Sequence, residues 1–138
     1  MLDDFDAFPS SSRPLARRSV LQIVPRLQSG GAERATIDMA QALHEAGARA
    51  LVASEGGRMV SELQAKGGVW LPFPAATKNP LAMALNALRL ARILREERVD
   101  IVHARSRACA WVAHYAARKA GARFVTTYHS VYGGDSAI

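Results

Sequence analysis

Three clusters in this 138-residue chain hold residue types that can do chemistry. The first is Gln28-Ser29-Gly30-Gly31, which follows an apolar run and opens a helical pattern. Backbone N–H groups at a helix start, with the helix dipole behind them, attract phosphate and other anions. Glycines there let a ligand approach the main chain. The same two glycines are also ordinary turn residues, and from the sequence both readings stand. The second cluster is His103-Ala104-Arg105-Ser106-Arg107, after another apolar run. Arg105 and Arg107 can clamp a phosphate or serve as exposed caps; His103 can face a ligand or be a hydrogen-bonded structural histidine. The third is Tyr128-His129-Ser130, where His129 adds a second histidine at the end of a strand.

Several chemistries are excluded by what surrounds these residues. The glycine pair is neither the G-x-G-x-x-G of dinucleotide binding nor a phosphate loop ending in Gly-Lys-Ser/Thr. A metal held by His103 and His129 lacks a clear third ligand, so no metal is expected. No G-x-S-x-G elbow supports a serine nucleophile.

The elements that must position these clusters alternate along the chain. Apolar runs at Val20–Val24, Ala48–Ala53, Val69–Leu71, Asp100–His103 and Arg123–Thr127 read as strands. Between them, helices are expected over Ala32–Glu45, Met59–Lys66, Pro80 to about Glu97, and Ala108–Ala120. The first helix would turn Thr36, Met39, Ala40 and Leu43 inward; the last would place Ala108, Trp111, Val112 and Tyr115 on one face. Asn79 and Pro80 suit a helix start. Strand–helix alternation of this kind means an α/β fold, a parallel sheet with helices on both faces. Ligands in such sheets sit outside the carboxyl ends of the strands. Those ends are Gln28–Gly31, Ser54–Gly57, His103–Arg107 and Tyr128–Gly134.

Residues 1–18 carry the cluster Pro9, Ser10, Ser11, Ser12 and Pro14 and read as a disordered tail, with the folded domain spanning 19–138. Asp3, Asp4 and Asp6 are unlike the basic start of a secretory signal. No apolar run approaches the roughly 18 residues of a membrane span. Cys109 has no partner in the chain and fits a reducing compartment, so a cytoplasmic location is expected. The net charge of +6 favours anionic partners. Aromatic and basic residues are not interleaved as in base-stacking surfaces, so nucleic acid is not expected. Arg89, Arg92, Arg95 and Arg98 spiral around the long helix; a solvated face and a membrane-facing one are both compatible with that spacing.

With these positions placed, the chain resembles the retaining two-domain (GT-B type) glycosyltransferases, and more narrowly the amino-terminal domain of glycosyltransferase family four. The resemblance rests on Ser29-Gly30-Gly31-Ala32-Glu33-Arg34 after the first strand, Asp100-Ile101-Val102-His103-Ala104-Arg105-Ser106, and Val125-Thr126-Thr127-Tyr128-His129, in order, over about Ser19 to Tyr132. It implies a Rossmann-like sheet forming a truncated amino-terminal half of the GT-B fold, without the carboxyl-terminal donor domain. It implies transfer of a sugar, with retention, from a nucleotide-sugar donor to a cell-surface polysaccharide or glycolipid acceptor. Gly30 and Gly31 would lie against the donor, His129 at the reaction centre, and His103 and Arg105 on the acceptor side of the cleft. No metal or cofactor is implied. The basic surface fits phosphorylated or lipid-linked substrates near an anionic membrane, so peripheral contact with the membrane's inner face is expected. The isolated chain is expected to be inactive. The alternative is a stand-alone, non-catalytic α/β module that binds a nucleotide or a partner.

Overall fold

The computed structural model describes residues 14–28 and 30–127. Five parallel strands form one sheet in the order β3-β2-β1-β4-β5. In chain order the elements are β1 (Ser19–Ile23), α1 (Gly31–Glu45), β2 (Arg49–Ser54), α2 (Val60–Ala65), β3 (Val69–Pro72), α3 (Pro80–Glu96), β4 (Ile101–Ala104), α4 (Arg107–Ala120) and β5 (Arg123–Thr126). The expected α/β architecture is therefore present, with element ends displaced by about a residue.

Side chains alternate across the sheet, and each face has its own core. On β2, Leu51 and Ala53 join Leu21 and Ile23 of β1 against α3 and α4, with Leu90, Leu94, Val112 and Ala113. Ala50 and Val52 face the other way and meet Ile37, Ala40 and Leu63 of α1 and α2. Burial of each large aliphatic side chain stabilises the fold by about 1.5–3 kcal/mol. The chain passes from β1 toward β2 and β3, then crosses back to β4 on the other flank of β1. Right-handed crossovers in both directions place the two helix pairs on opposite faces. The carboxyl edge between β1 and β4 is thus a topological switch point.

Local signals explain the long helices. Asn79 caps α3: its Oδ1 accepts from the N–H groups of Leu81 at 2.9 Å and Ala82 at 3.1 Å. Ser106 caps α4, its Oγ accepting from the Cys109 N–H at 3.2 Å, and Gly121 ends that helix with a left-handed φ of 79°. At the opposite edge of the sheet, the Asp100 carboxylate accepts from the Ser19 N–H at 2.8 Å, and the Asp100 N–H donates to the Ser19 carbonyl. Asp100 ties β4 to β1 far from the switch point. Before β1, residues 14–17 form a turn in which the Leu15 N–H donates to the Ala46 carbonyl.

Two expected helix faces are corrected. In α1 the buried residues are Thr36, Ile37 and Ala40, while Met39 is 40% exposed. The helix seats Ile37 over β1 and β2, which turns Met39 toward the side of β4 and β5 that no described helix covers. In α4 the buried stripe is Cys109, Val112, Ala113, Ala116 and Ala117; Trp111 and Tyr115 point outward. Small residues let α4 lie close to the sheet and α3, which leaves no room for the aromatic rings inside.

Candidate functional site

The loop after β1 is held by the loop after β2. Leu27 is fully buried, its N–H donates to the Gly56 carbonyl at 2.8 Å, and its carbonyl accepts from the Met59 N–H at 2.8 Å. The two loops touch so closely that a Cβ on Gly57 would come within 2.5 Å of the Leu27 carbonyl oxygen. Arg58 adds a hydrogen bond from Nε to the Gln28 carbonyl, 3.1 Å. This bracing delivers the chain to Gly30 at the carboxyl edge.

Gly30 and Gly31 have different reasons to be glycine. Gly30 stands at the cap of α1 with φ 123° and ψ 172°, a region that residues with a Cβ scarcely enter. A Cβ there would also lie 2.8 Å from Glu33 Oε1. Gly31 has no such requirement: its φ is not positive and a Cβ would meet nothing within 4 Å. Among the described residues no side chain caps the first turn of α1, and its leading N–H groups donate to no described side chain. The sequence left turn chemistry and ligand access as equals. Gly30 is explained by the turn, whereas Gly31 is explained by nothing inside the described protein.

Gly30 borders a shallow hollow of about 400 Å³ shared with Gln28, Arg34, Arg58, Met59 and Glu62. Arg34 Nη2 donates to Glu62 Oε1 at 2.9 Å, and Lys66 Nζ lies 3.2 Å from Glu62 Oε2. Hydrogen bonds from Arg34, then Lys66, lower the Glu62 carboxyl to about 2. Arg34 therefore braces α1 against α2.

Arg105 follows β4 directly and is 7% exposed. Its Nε donates to Gln22 Oε1 at 2.8 Å, and Gln22 Nε2 donates to the Thr36 carbonyl at 3.0 Å. The guanidinium is thus wedged at the switch point between β1, β4 and α1. Burial pushes its pKa down from the ordinary arginine value. Among the described residues it forms no ion pair with a carboxylate. Gln22 is a site residue that the motifs did not point to. Its signal was a lone amide inside the apolar run Val20-Leu21-Gln22-Ile23-Val24, which a buried strand tolerates only with partners.

His103 is the third residue of β4 and half-buried. Its ring Nε2 is hydrogen-bonded to Thr127 Oγ1. Burial, and then the neighbouring Arg105 charge, lower its pKa below the usual histidine value. It lines a hollow of about 530 Å³ over β4 and β5, together with Val20, Met39, Leu43, Ile101 and Val125. His103 and Gly30 therefore border separate hollows, and Arg105 lies beneath the surface rather than lining either of them. Arg107 is exposed at the first position of α4. His129 lies outside the described residues. Among those described, no three His, Cys, Asp or Glu side chains gather as a metal cage.

A parallel sheet ordered β3-β2-β1-β4-β5 with helices on both faces is a Rossmann-like α/β fold. The family model for Glycosyltransferase Family 4 matches residues 29–137, and the chain belongs to that family. A crystal structure of a glycosyltransferase from Rickettsia africae ESF-5 is similar at 40% identity and a TM-score of 0.75, over 86% of this chain. The chain spans 31% of that protein's length. The C-terminal domain of the PF1911 hydrogenase from Pyrococcus furiosus shares the fold alone, at 19% identity and a TM-score of 0.55, over 83% of this chain and 95% of that domain. A search of curated proteins returns no match.

Proposed function

We propose that this chain is the acceptor-side part of a cytoplasmic glycosyltransferase that moves a sugar, with retention, from a nucleotide-sugar to a glycan or lipid-linked acceptor at a cell surface. Membership of glycosyltransferase family 4 supports the reaction class. The single observation that carries the site is Gly31, a glycine at the start of α1 that neither backbone conformation nor packing among the described residues demands. A donor phosphate on the N–H groups of that turn gains charge-assisted hydrogen bonds and a favourable helix dipole. Gly30 shapes the turn that presents them. Arg105, wedged beneath the switch point, adds fixed positive potential there. As the sugar leaves the nucleotide, negative charge grows on the diphosphate, and dipoles already in place stabilise it without reorganising. His129 is the residue placed at the reaction centre in this reading, with His103 and Arg105 toward the acceptor. No metal or cofactor is required.

The test is turnover by the protein at the full length its gene encodes, against a panel of nucleotide-sugars, with the anomeric configuration of the product read by NMR. His129→Ala should abolish most activity while leaving the melting temperature unchanged. Near-normal turnover by that variant would overturn the assignment.

A further inference from the structure

We propose that Gln22 is a positioning residue for the substrate anion: its neutral amide fixes the buried Arg105 behind the α1 turn without cancelling the arginine's charge. This deepens the reading above, and rests on it in placing that anion on the turn. Among the described residues Arg105 is the single charged side chain that is buried, and Gln22 is wholly enclosed. A buried arginine ordinarily meets a carboxylate, because an uncompensated charge inside a protein is costly. Here the acceptor at Nε is an amide oxygen, and no described carboxylate pairs with the guanidinium. The backbone explains how the two side chains meet. Gln22 is in register with His103 across β1 and β4, and the Arg105 N–H continues that ladder to the Ile23 carbonyl at 3.1 Å. Alternation then puts Gln22, His103 and Arg105 on the face of the sheet that α1 covers.

From there a relay of hydrogen bonds runs to the start of α1. Gln22 Nε2 donates to the Thr36 carbonyl at 3.0 Å, and Thr36 Oγ1 donates to the Ala32 carbonyl at 2.7 Å. Ala32 directly follows Gly31. Thr36 stands about 7.5 Å along the helix from Gly31, with the guanidinium a side chain further. At about 10–12 Å and an effective dielectric of about 20, a unit charge changes the affinity of a singly charged anion by about tenfold or more. Burial keeps salt from screening that charge fully. A carboxylate at position 22 would accept the same hydrogen bond from Arg105 and forfeit the field. The bond alone therefore does not explain the amide; its neutrality does. The charge is felt on this face: burial first, and Arg105 second, hold His103 below the usual histidine value.

The experiment is calorimetric titration of the protein, as its gene encodes it, with inorganic pyrophosphate. The parent should bind the anion, and Gly31→Ala should bind it less, which locates it on the α1 turn. Gln22→Glu keeps an acceptor for Arg105 and neutralises it, so affinity should fall by about tenfold or more. The double variant Gln22→Met with Arg105→Met removes the charge together with its holder and should lose the same factor. Thermal melts establish that each variant is folded, and the double variant serves if the buried carboxylate prevents folding. A purely structural Gln22 predicts parent affinity in every variant that folds. Parent-like affinity in a folded variant of either kind, undiminished binding by Gly31→Ala, or no pyrophosphate binding by the parent would each overturn the proposal. No turnover is read. A protein that binds pyrophosphate in the expected pattern and transfers no sugar therefore fails the transferase reading alone.

Discussion

Replacing each glycine of the α1 turn by alanine separates turn chemistry from ligand access. At Gly31 the new methyl group enters open space in a helical residue. Alanine there restricts the unfolded chain and should stabilise the protein by about 0.4–1 kcal/mol. An unfolding entropy of about 2.1 cal/mol/K per residue over the 138 residues gives roughly 0.29 kcal/mol per degree. The melting temperature should therefore rise by about 1.5–3.5 °C. Gly30→Ala forces a Cβ into φ 123°, ψ 172°, at a cost of about 1–3 kcal/mol. Its melting temperature should fall by roughly 3–10 °C on the same scale. The functional readout reverses the order of interest. If a donor phosphate sits on this turn, the Gly31 methyl displaces it, and a shift of about 1 Å can cost on the order of a hundredfold in kcat/KM. The assay pairs thermal unfolding with donor kinetics, and with competition by inorganic pyrophosphate as the minimal anion. A Gly31→Ala protein that is stabilised yet disabled is the expected result. Full activity in that variant would refute ligand approach at Gly31, and marked destabilisation would show that the turn itself requires the glycine.

The remaining predictions concern the parts around this turn. Arg105→Met leaves the buried Gln22 Oε1 without its donor and should cost about 1–3 kcal/mol. The double variant with Gln22→Met removes both polar groups and should recover much of that loss in urea melts; additive losses would contradict the coupling. Because the His103 pKa is lowered in the fold, the unfolded chain binds its proton more readily. That contribution leaves stability intact above the ordinary histidine pKa and erodes it as pH falls through that value toward the folded one. NMR titration should find the imidazole midpoint depressed, and His103→Gln should flatten the loss of stability between neutral and mildly acid pH. Asn79→Ala removes the acceptor of two N–H groups at the start of α3 and should destabilise by about 1 kcal/mol, read as an earlier urea midpoint with unchanged slope.

Periodicity and punctuation in the sequence were sufficient for the elements and their order. Strands buried on both faces must be apolar runs, and Asn79-Pro80 acts on its own neighbours, so its effect is local and legible; the Ser106 cap of α4 emerged only from the structure. The parallel sheet followed from alternation, and the carboxyl-edge clusters followed from the sheet. Which side of a helix is buried is another matter. Met39, Trp111 and Tyr115 are apolar at helical spacing, yet they point outward because the sheet and neighbouring helices had already filled the interior with Ile37, Val112 and small alanines. The link from Arg105 through Gln22 to Thr36 spans residues 83 apart and then 14 apart, and no local pattern encodes such a pairing. The two glycines looked alike in the sequence because glycine is one letter for two needs. Only the backbone angle at Gly30 and the empty space beside Gly31 told them apart.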